Sequence, residues 1–235
     1  MRETLADEGV RQVVGELIKE RRELIETNQM LAYAPYGWQK DFHKSFDEEG
    51  NFARQRAVIA GNKTGKTYCG AMEMAVHLTG LYPDWWEGRR WNGPIKAWAA
   101  GNTITNTRDI VQTELLGEAG DPDDFGKGTI PRDLILGTER WPGIPNGFQQ
   151  VRVKHVTGRT STLYFKAYEQ GKDAWMGKAL DLIWLDEEPP QDIYSQALRA
   201  SLKGAGSVYM TFTPEKGMTE VVAQFLNNLQ PGQLL

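Results

Sequence analysis

The feature that most constrains the fold of this chain is a glycine-containing segment between a strand pattern and a helix pattern. The apolar run Ala57-Val58-Ile59-Ala60 leads into Gly61-Asn62-Lys63-Thr64-Gly65-Lys66-Thr67, and apolar residues then recur at helical spacing over residues 69–78. In such a turn, successive backbone N–H groups at a helix N-terminus surround phosphate oxygens, and the helix dipole favours their negative charge. The order strand, loop, helix therefore predicts a phosphate-binding loop.

The side chains of this loop predict a nucleoside triphosphate bound with magnesium. Lys66 is placed to reach the β- and γ-phosphates, and the Thr67 hydroxyl is placed to ligate Mg²⁺. The usual pattern, G-x-x-x-x-G-K-S/T, begins with glycine where this chain has Ala60, although Gly61 follows at once. A glycine turn that only caps a helix is the alternative interpretation. The predicted nucleotide contacts in the loop are Gly61, Asn62, Lys63, Thr64, Gly65, Lys66 and Thr67.

A second motif combines a buried-strand pattern with acids. The run Leu182-Ile183-Trp184-Leu185 ends in Asp186-Glu187-Glu188-Pro189-Pro190. Ligands of open α/β sheets bind at the carboxyl ends of strands, so these acids are expected beside the phosphate loop. Asp186 is predicted to hold Mg²⁺ through water, and Glu187 to polarise an attacking water molecule. An acidic surface turn is the alternative, and it fits Glu188 best. Both motifs together predict ATP hydrolysis.

The rest of the chain alternates helix and strand signals without repeats, which is an α/β pattern. Apolar residues at helical spacing over residues 5–31 predict one long amphipathic helix, and we expect a helical appendage over residues 1–34 and the ATPase domain over residues 35–235. The spacing of Trp38, Phe42 and Phe46 predicts a second, short helix.

Two further stretches carry structural signals. Val151-Arg152-Val153-Lys154-His155 and Thr162-Leu163-Tyr164-Phe165-Lys166 alternate around a turn and predict a β-hairpin beside the main sheet. The glycines and prolines of residues 131–147 indicate a long irregular surface loop.

Charge and composition narrow the possible partners and compartment. The net charge is −4, so any DNA-binding surface must be local. No run of about eighteen apolar residues is present and Cys69 has no partner within the chain, which favours a reducing cytoplasm over a membrane or secretion. Scattered surface charge is the alternative interpretation of the basic groups. The candidate groups are Arg89, Arg90 and Lys96, and then Arg152, Lys154, Arg159 and Lys166.

Over nearly its whole length the chain resembles the large terminase subunits of headful-packaging, short-tailed double-stranded DNA phages. Terminases similar to this chain also tolerate the departure at Ala60. The matching stretches are Ala34-Pro35-Tyr36 with Gln39, the loop from Ala60 to Thr67, His77-Leu78-Thr79-Gly80-Leu81-Tyr82-Pro83, the run from Trp184 to Pro190, and Thr211-Phe212-Thr213-Pro214.

This resemblance implies both a fold and an activity. The fold is a three-layer α/β P-loop NTPase of the additional-strand type, with a mostly parallel central sheet. The activity is ATP hydrolysis that powers translocation of viral double-stranded DNA into a procapsid. The implied partners are double-stranded DNA, the portal protein, the small terminase subunit and further copies in a ring on the portal, with a monomer as the alternative in isolation. The implied location is the host cytoplasm.

The resemblance also assigns roles to individual residues. Tyr36 and Gln39 resemble an adenine-recognition element, with helix packing, or stacking by Trp38, as the alternative. Thr211 and Thr213 resemble the coupling motif that senses the γ-phosphate. An arginine that completes the transition-state clamp is expected, but Asn62 stands where other terminases place one. The open candidates for that arginine are Arg54, Arg56 and Arg159.

Other classes stay open at the level of sequence. A superfamily-2 helicase or translocase, a P-loop kinase and an inactive nucleotide-binding adaptor share some of these motifs. Complete large terminases continue into a metal-dependent nuclease domain, whose carboxylate set is not recognisable here. We therefore expect the nuclease domain to be absent from this chain, and no DNA cleavage.

Overall fold

The computed structural model describes residues 2–46, 50–202, 205–227 and 233–234. A π-helical stretch occupies Thr107–Gln112, and short 3₁₀ turns occupy Gln29–Leu31, Arg132–Leu134, Tyr168–Gln170 and Lys172–Trp175. The helices are α1 Arg2–Thr27, α2 Gly37–Lys44, α3 Lys66–Thr79, α4 Ile104–Asn106, α5 Thr113–Leu116, α6 Gln191–Leu202 and α7 Glu220–Asn227. The strands are β1 Gln55–Ile59, β2 Lys96–Gly101, β3 Ile135–Arg140, β4 Phe148–Lys154, β5 Thr160–Ala167, β6 Leu182–Asp186, β7 Ser207–Phe212 and β8 Gln233–Leu234.

The eight strands of the described residues form one sheet in the order β3-β4-β5-β2-β6-β7-β1-β8. The pairs from β5 to β8 are parallel, and only β3 with β4 and β4 with β5 are antiparallel. The expectation of a mostly parallel sheet is confirmed. The strand β7 lies between β1 and β6, so one strand separates the two that carry the predicted site.

Two hydrophobic clusters cover the two faces of the sheet. Alternate residues of each central strand point to opposite sides, so Trp184 belongs to one cluster and Ile183 to the other. Met74 of α3 packs in the first cluster, and Ile193 of α6 and Phe225 of α7 pack in the second. Helices on both faces of one sheet make the three predicted layers.

A close approach of α3 to the sheet fixes the position of the helix start. Gly70 faces the indole of Trp184, and a Cβ atom at this position would come within 2.7 Å of that ring. The Tyr209 hydroxyl also donates a hydrogen bond to the Gly70 carbonyl over 2.8 Å. A larger side chain at Gly70 would push α3 away from β6, and the first turn of α3 would move with it.

The predicted long N-terminal helix is present as α1, which has 26 residues and is followed by a 3₁₀ turn. Several of its described apolar side chains stay uncovered, among them Val10, which is 61% exposed, and Leu17, which is 57% exposed. Among the described residues, no helix is both long enough and apolar enough to span a membrane. The division of the chain near residue 34 stays a prediction.

Three details of the sequence interpretation were wrong. Residues 131–147 are not wholly irregular, since Ile135–Arg140 forms the edge strand β3, whose exposed, weakly alternating residues give little strand signal. The β4–β5 hairpin is confirmed, but it is part of the main sheet because β5 pairs with β2. The helix α2 stops at Lys44, where Ser45 takes a left-handed conformation with φ of 62°. Phe46 instead bridges to Phe52.

A buried charge network joins β1, α2 and α3. Glu73 is fully buried, and its two carboxylate oxygens lie 2.5 Å from Nη2 of Arg56 and 2.6 Å from Nδ1 of His43. Nε2 of His77 lies 3.1 Å from the same carboxylate. Burial alone would raise the pKa of Glu73, but Arg56 and the two histidines overcome that effect and hold the pKa well below its usual range. Glu73 is therefore a buried anion whose charge the surrounding groups balance.

Candidate functional site

The predicted phosphate loop lies between β1 and α3 and is open to solvent. Residues 61–65 are exposed, and Lys63 and Gly65 take left-handed backbone conformations, with φ of 61° and 85°. Ala60 is not among the residues with positive φ, so an alanine fits where the usual motif has glycine. Its N–H donates to the Phe212 carbonyl over 3.3 Å, which ties the start of the loop to β7.

The Lys66 side chain turns back into the loop. Its ammonium is largely buried and donates to the Gly61 carbonyl over 2.7 Å and to the Thr213 hydroxyl over 3.0 Å. The Thr213 hydroxyl in turn donates to Oδ1 of Asn62 over 2.8 Å. The hydrogen-bond partners of this buried cation are neutral oxygens, an environment in which an anionic phosphate would be strongly favoured.

Asp186 ends β6 and meets the start of α3 directly. Its Oδ1 atom accepts hydrogen bonds from the hydroxyls of Thr67, over 3.2 Å, and Thr211, over 2.7 Å. Burial raises the pKa of Asp186 to about 7, although the hydrogen bond from Thr211 acts in the opposite direction. The structure thus brings Lys66, Thr67 and Asp186 to one edge of the sheet, as the two motifs predicted.

The residues at this point fit a magnesium ion. Thr67 and Asp186 present a hydroxyl and a carboxyl oxygen, the hard donors that Mg²⁺ prefers. The buried carboxyl of Asp186 is 2% exposed, and a divalent cation would compensate the cost of ionising it there. Oxygen donors on two different elements, in contact with each other, are what the sequence assignment of Thr67 and Asp186 requires.

Glu187 occupies a strained position next to Asp186. Its φ angle is 65°, in the left-handed region that disfavours a side chain. The backbone is held there because the Glu187 N–H donates to the Thr211 carbonyl over 3.0 Å, while the Tyr168 hydroxyl donates to the carbonyls of Asp186 and Glu187 over 2.9 and 3.0 Å. Burial raises the pKa of the Glu187 carboxyl, whereas Lys66 lowers it. Strain of this kind concentrates at functional sites.

One contributor to this site was missed in the sequence, and another has a contact that the sequence did not predict. Tyr168 was not singled out, because its hydroxyl reaches the acidic turn from the end of β5, two strands away in the sheet. Thr211 was assigned to the coupling motif, but its hydroxyl also links Asp186 to Nε1 of Trp184, which donates to it over 2.7 Å. No local pattern encodes either contact, because both partners come from distant parts of the chain.

The predicted base-recognition residues lie beside the phosphate loop. Gln39 is buried, its Oε1 accepts from the Tyr36 N–H over 2.9 Å, and its Nε2 is 3.5 Å from the Gly65 carbonyl. The Tyr36 ring is 68% exposed and Trp38 is 37% exposed, so either ring is accessible for stacking. The role of these residues in binding a base stays a prediction.

The three candidate arginines are not near the loop within this chain. Arg56 is buried against Glu73, so it cannot serve as a mobile arginine. Arg54 precedes β1 and Arg159 precedes β5, at the amino ends of parallel strands and thus at the opposite edge from the loop. Glu188, first attributed to a surface turn, is instead buried and accepts a hydrogen bond from Thr219 over 2.6 Å.

Solved structures share this fold. The large terminase from a thermophilic bacteriophage, in complex with ADP, superposes with a TM-score of 0.54 and 14% sequence identity, covering 86% of this chain and 44% of that one. A second crystal form of the same large terminase gives a TM-score of 0.52 with the same identity and covers 86% of this chain and 45% of that one. The fold is therefore that of the large terminases.

Sequence comparison defines the family. Residues 58–233 match the family described as Terminase large subunit, T4likevirus-type, N-terminal. The large terminase subunit of Salmonella phage P22 is 34% identical, with 93% of this chain and 46% of that protein covered. This chain belongs to the terminase large subunit family, and it spans about half the length of the curated relative. These comparisons give no support to a helicase or a kinase.

Proposed function

We propose that this chain is the ATP-hydrolysing motor domain of a large terminase, a P-loop NTPase of the additional-strand type. In this role it powers the translocation of viral double-stranded DNA into a procapsid. The observation that carries the proposal is the convergence of the Lys66 ammonium, the Thr67 hydroxyl and the Asp186 carboxyl at the carboxyl ends of β1 and β6, which β7 separates. The large terminase from the thermophilic phage was solved in complex with ADP, which supports a nucleotide as the ligand of this chain.

The proposed mechanism is phosphoryl transfer from ATP to water. The N–H groups of residues 61–67 surround the phosphates, and Lys66 exchanges its bond to Gly61 for phosphate oxygens. Thr67 and Asp186 would hold Mg²⁺, which neutralises charge on the phosphates when bound. The Glu187 carboxyl orients the attacking water and accepts its proton.

Thr213 is placed to report the state of the nucleotide. Its hydroxyl links Lys66 to Asn62, so a phosphate that draws Lys66 away from this hydroxyl leaves the end of β7 with one contact fewer to the loop. The same strand carries Thr211, which holds Asp186. Hydrolysis and release can therefore change the position of the chain after β7, as the coupling motif requires.

The partners follow from the proposed role. They are double-stranded DNA, the portal protein and the small terminase subunit, with further copies of this chain arranged in a ring on the portal. Because neither Arg54 nor Arg159 lies at the loop edge, a neighbouring copy is a reasonable source of the arginine that completes the site. The proposed location is the host cytoplasm, where the procapsid is filled.

The base-recognition assignment predicts an effect on affinity alone. Replacing Tyr36 with alanine removes an exposed ring and should weaken ADP binding by up to about tenfold, since an aromatic contact contributes about 0.5–1.5 kcal/mol. Tyr36→Phe keeps the ring and should bind ADP as the unmodified chain does. Titration calorimetry measures both. Unchanged affinity in Tyr36→Ala, with a loss in Trp38→Ala, would move the stacking role to Trp38.

The motor assignment is tested by phosphate release. The chain with Mg²⁺ and ATP alone should release phosphate slowly, without any acceptor molecule, and assembly on the portal or addition of duplex DNA should increase this rate strongly. A kinase would instead need an acceptor for turnover. An isolated chain that is fully active and indifferent to DNA, portal and salt would contradict the motor assignment.

A further inference from the structure

The wing of the sheet formed by β3, β4 and β5 has one covered face and one open face. Val151, Val153 and Leu163 are buried in the cluster that α3 covers. The residues that alternate with them belong to the opposite side, where Arg152 and Lys154 are exposed. The helices α6 and α7 pack over the central strands on that side, and the 3₁₀ segment Lys172–Trp175 lies over the end of β5, so β4 and the start of β5 are left uncovered.

Five cations gather on this open side, and we call them the basic face: Lys96, Arg152, Lys154, Lys166 and Lys178. Arg152 and Lys96 both stand opposite Thr162 in the strand register, one on each side of it. Neighbouring strands are about 4.8 Å apart, so the backbones of these two residues are separated by about 10 Å. In the part of the chain that the structure describes, none of the five forms an ion pair with an acid.

Lys166 and Lys178 line a groove of about 270 Å³ on this face, together with Tyr164 and Gln150. The Lys166 ammonium donates to the Ala174 carbonyl over 2.8 Å, and the Lys178 ammonium lies 3.6 Å from the centre of the Tyr164 ring. Burial lowers the pKa of Lys166, and the neighbouring Lys178 lowers it further. Neutral groups thus hold the two cations close together, and a bound anion would reduce the electrostatic repulsion between them.

We propose that the basic face binds the phosphate backbone of double-stranded DNA. This inference rests on the proposed packaging role and assigns its DNA contact to a surface. Four of the cations are spread over β2, β4 and β5, and Lys178 lies in the loop before β6. They do not converge on one enclosed point, which suits a polyanion better than a single phosphate. Three aromatic residues, Trp141, Tyr164 and Phe165, line the groove, but the exposed side chains around it include Lys96, Arg152, Lys154 and Lys178. The centre of an interface between subunits is instead depleted in charged residues. One acid, Glu139, lines the groove itself, and another, Asp181, borders the face.

One residue of the basic face is close in sequence to a residue that contacts the turn of Asp186 and Glu187. Lys166 is two residues before Tyr168, whose hydroxyl holds the carbonyls of Asp186 and Glu187. A DNA phosphate backbone bound at the end of β5 would therefore be connected to the turn that carries the proposed catalytic glutamate through a single side chain, that of Tyr168. This short path gives the DNA contact a direct means of affecting ATP hydrolysis.

The test removes three exposed cations of the basic face together, in the variant Lys96→Ser, Arg152→Ser, Lys154→Ser. A matched control, Arg21→Ser, Arg22→Ser, Arg199→Ser, removes the same charge from α1 and α6. Binding of a fluorescent duplex is measured by anisotropy over a salt series. The first variant should bind about tenfold or more weakly at low salt, and the slope of log affinity against log salt should shrink by about 3. The control should keep most of the affinity and slope.

A second measurement does not depend on charge removal. The only cysteine, Cys69, is buried, so an introduced thiol can be alkylated selectively. Duplex DNA should slow the alkylation of Thr160→Cys, which stands opposite Lys154, severalfold, and should not slow that of Leu202→Cys on α6. Equal protection at both sites would contradict the assignment.

The remaining outcomes separate this inference from the proposed function. ATP hydrolysis without DNA should be the same in both triple variants, because their residues lie outside the nucleotide site. Normal duplex binding by the basic-face variant overturns the inference. If that variant also self-associates more weakly than the unmodified chain, the basic face is an interface between subunits instead. No duplex binding by the unmodified chain at low salt also overturns the inference. Failure of the proposed function would be recognised differently, because the unmodified chain would then not hydrolyse ATP in the absence of DNA.

Discussion

Replacing Glu187 with glutamine should leave ATP binding intact and reduce turnover by about 10²- to 10⁴-fold, the usual contribution of a general base. The amide keeps the size of the side chain but cannot accept a proton from water. Binding should persist because Lys66 and the loop, not Glu187, contact the phosphates in the proposed complex. Calorimetry with a non-hydrolysable ATP analogue and a phosphate-release assay measure the two effects separately. Equal turnover in Glu187→Gln and the unmodified chain would exclude the assigned role.

The backbone at Glu187 offers a matched pair of further variants. Both Glu187→Ala and Glu187→Gly should lose turnover, because both lack the carboxyl. Glycine tolerates the φ of 65° that alanine resists, at a cost for non-glycine residues of about 1–2 kcal/mol. The glycine variant should therefore unfold at a higher urea concentration than the alanine variant. The same stability in both would mean that the chain bears no strain at this position.

Replacing Glu73 with leucine should lower the free energy of unfolding by about 3–5 kcal/mol, the effect of removing one partner from a buried ion pair. The substitution leaves the buried guanidinium of Arg56 without its carboxylate. It also removes the acceptor of His43 and His77, so β1, α2 and α3 lose their common contact. Urea unfolding followed by circular dichroism measures the loss.

A double variant distinguishes charge from packing as the cause. Combining Glu73→Leu with Arg56→Met removes both charges, and apolar residues of similar size often replace a buried pair with little net cost. The double variant should then be more stable than Glu73→Leu alone. If the two single losses instead add in the double variant, the pair contributes no coupling and the effect of Glu73→Leu comes from packing.

Local patterns were sufficient for the elements of the site. The strand before the phosphate loop, the helix after it, the acidic strand β6 and the β4–β5 hairpin all depend on side chains that are neighbours in sequence. Roles could be predicted for Lys66 with Thr67 and for Asp186 with Glu187 for the same reason, because the members of each pair are adjacent in a recognisable motif. The edge strand β3 was missed because an edge strand with exposed residues on both faces has no strong alternation.

The sequence by itself determined which groups are available, namely an ammonium and a hydroxyl at a helix start and two carboxyls at a strand end. Only the tertiary structure decided their surroundings. In the folded chain, Thr211 and Tyr168 hydrogen-bond to the acidic turn, Arg56 is buried in an ion pair with Glu73, and five cations lie on one open face. The physical reason is that a local sequence pattern reports only on residues that are neighbours in the chain. Strand adjacency and buried hydrogen bonds depend on segments that are far apart in the chain and meet only when the whole sheet is assembled.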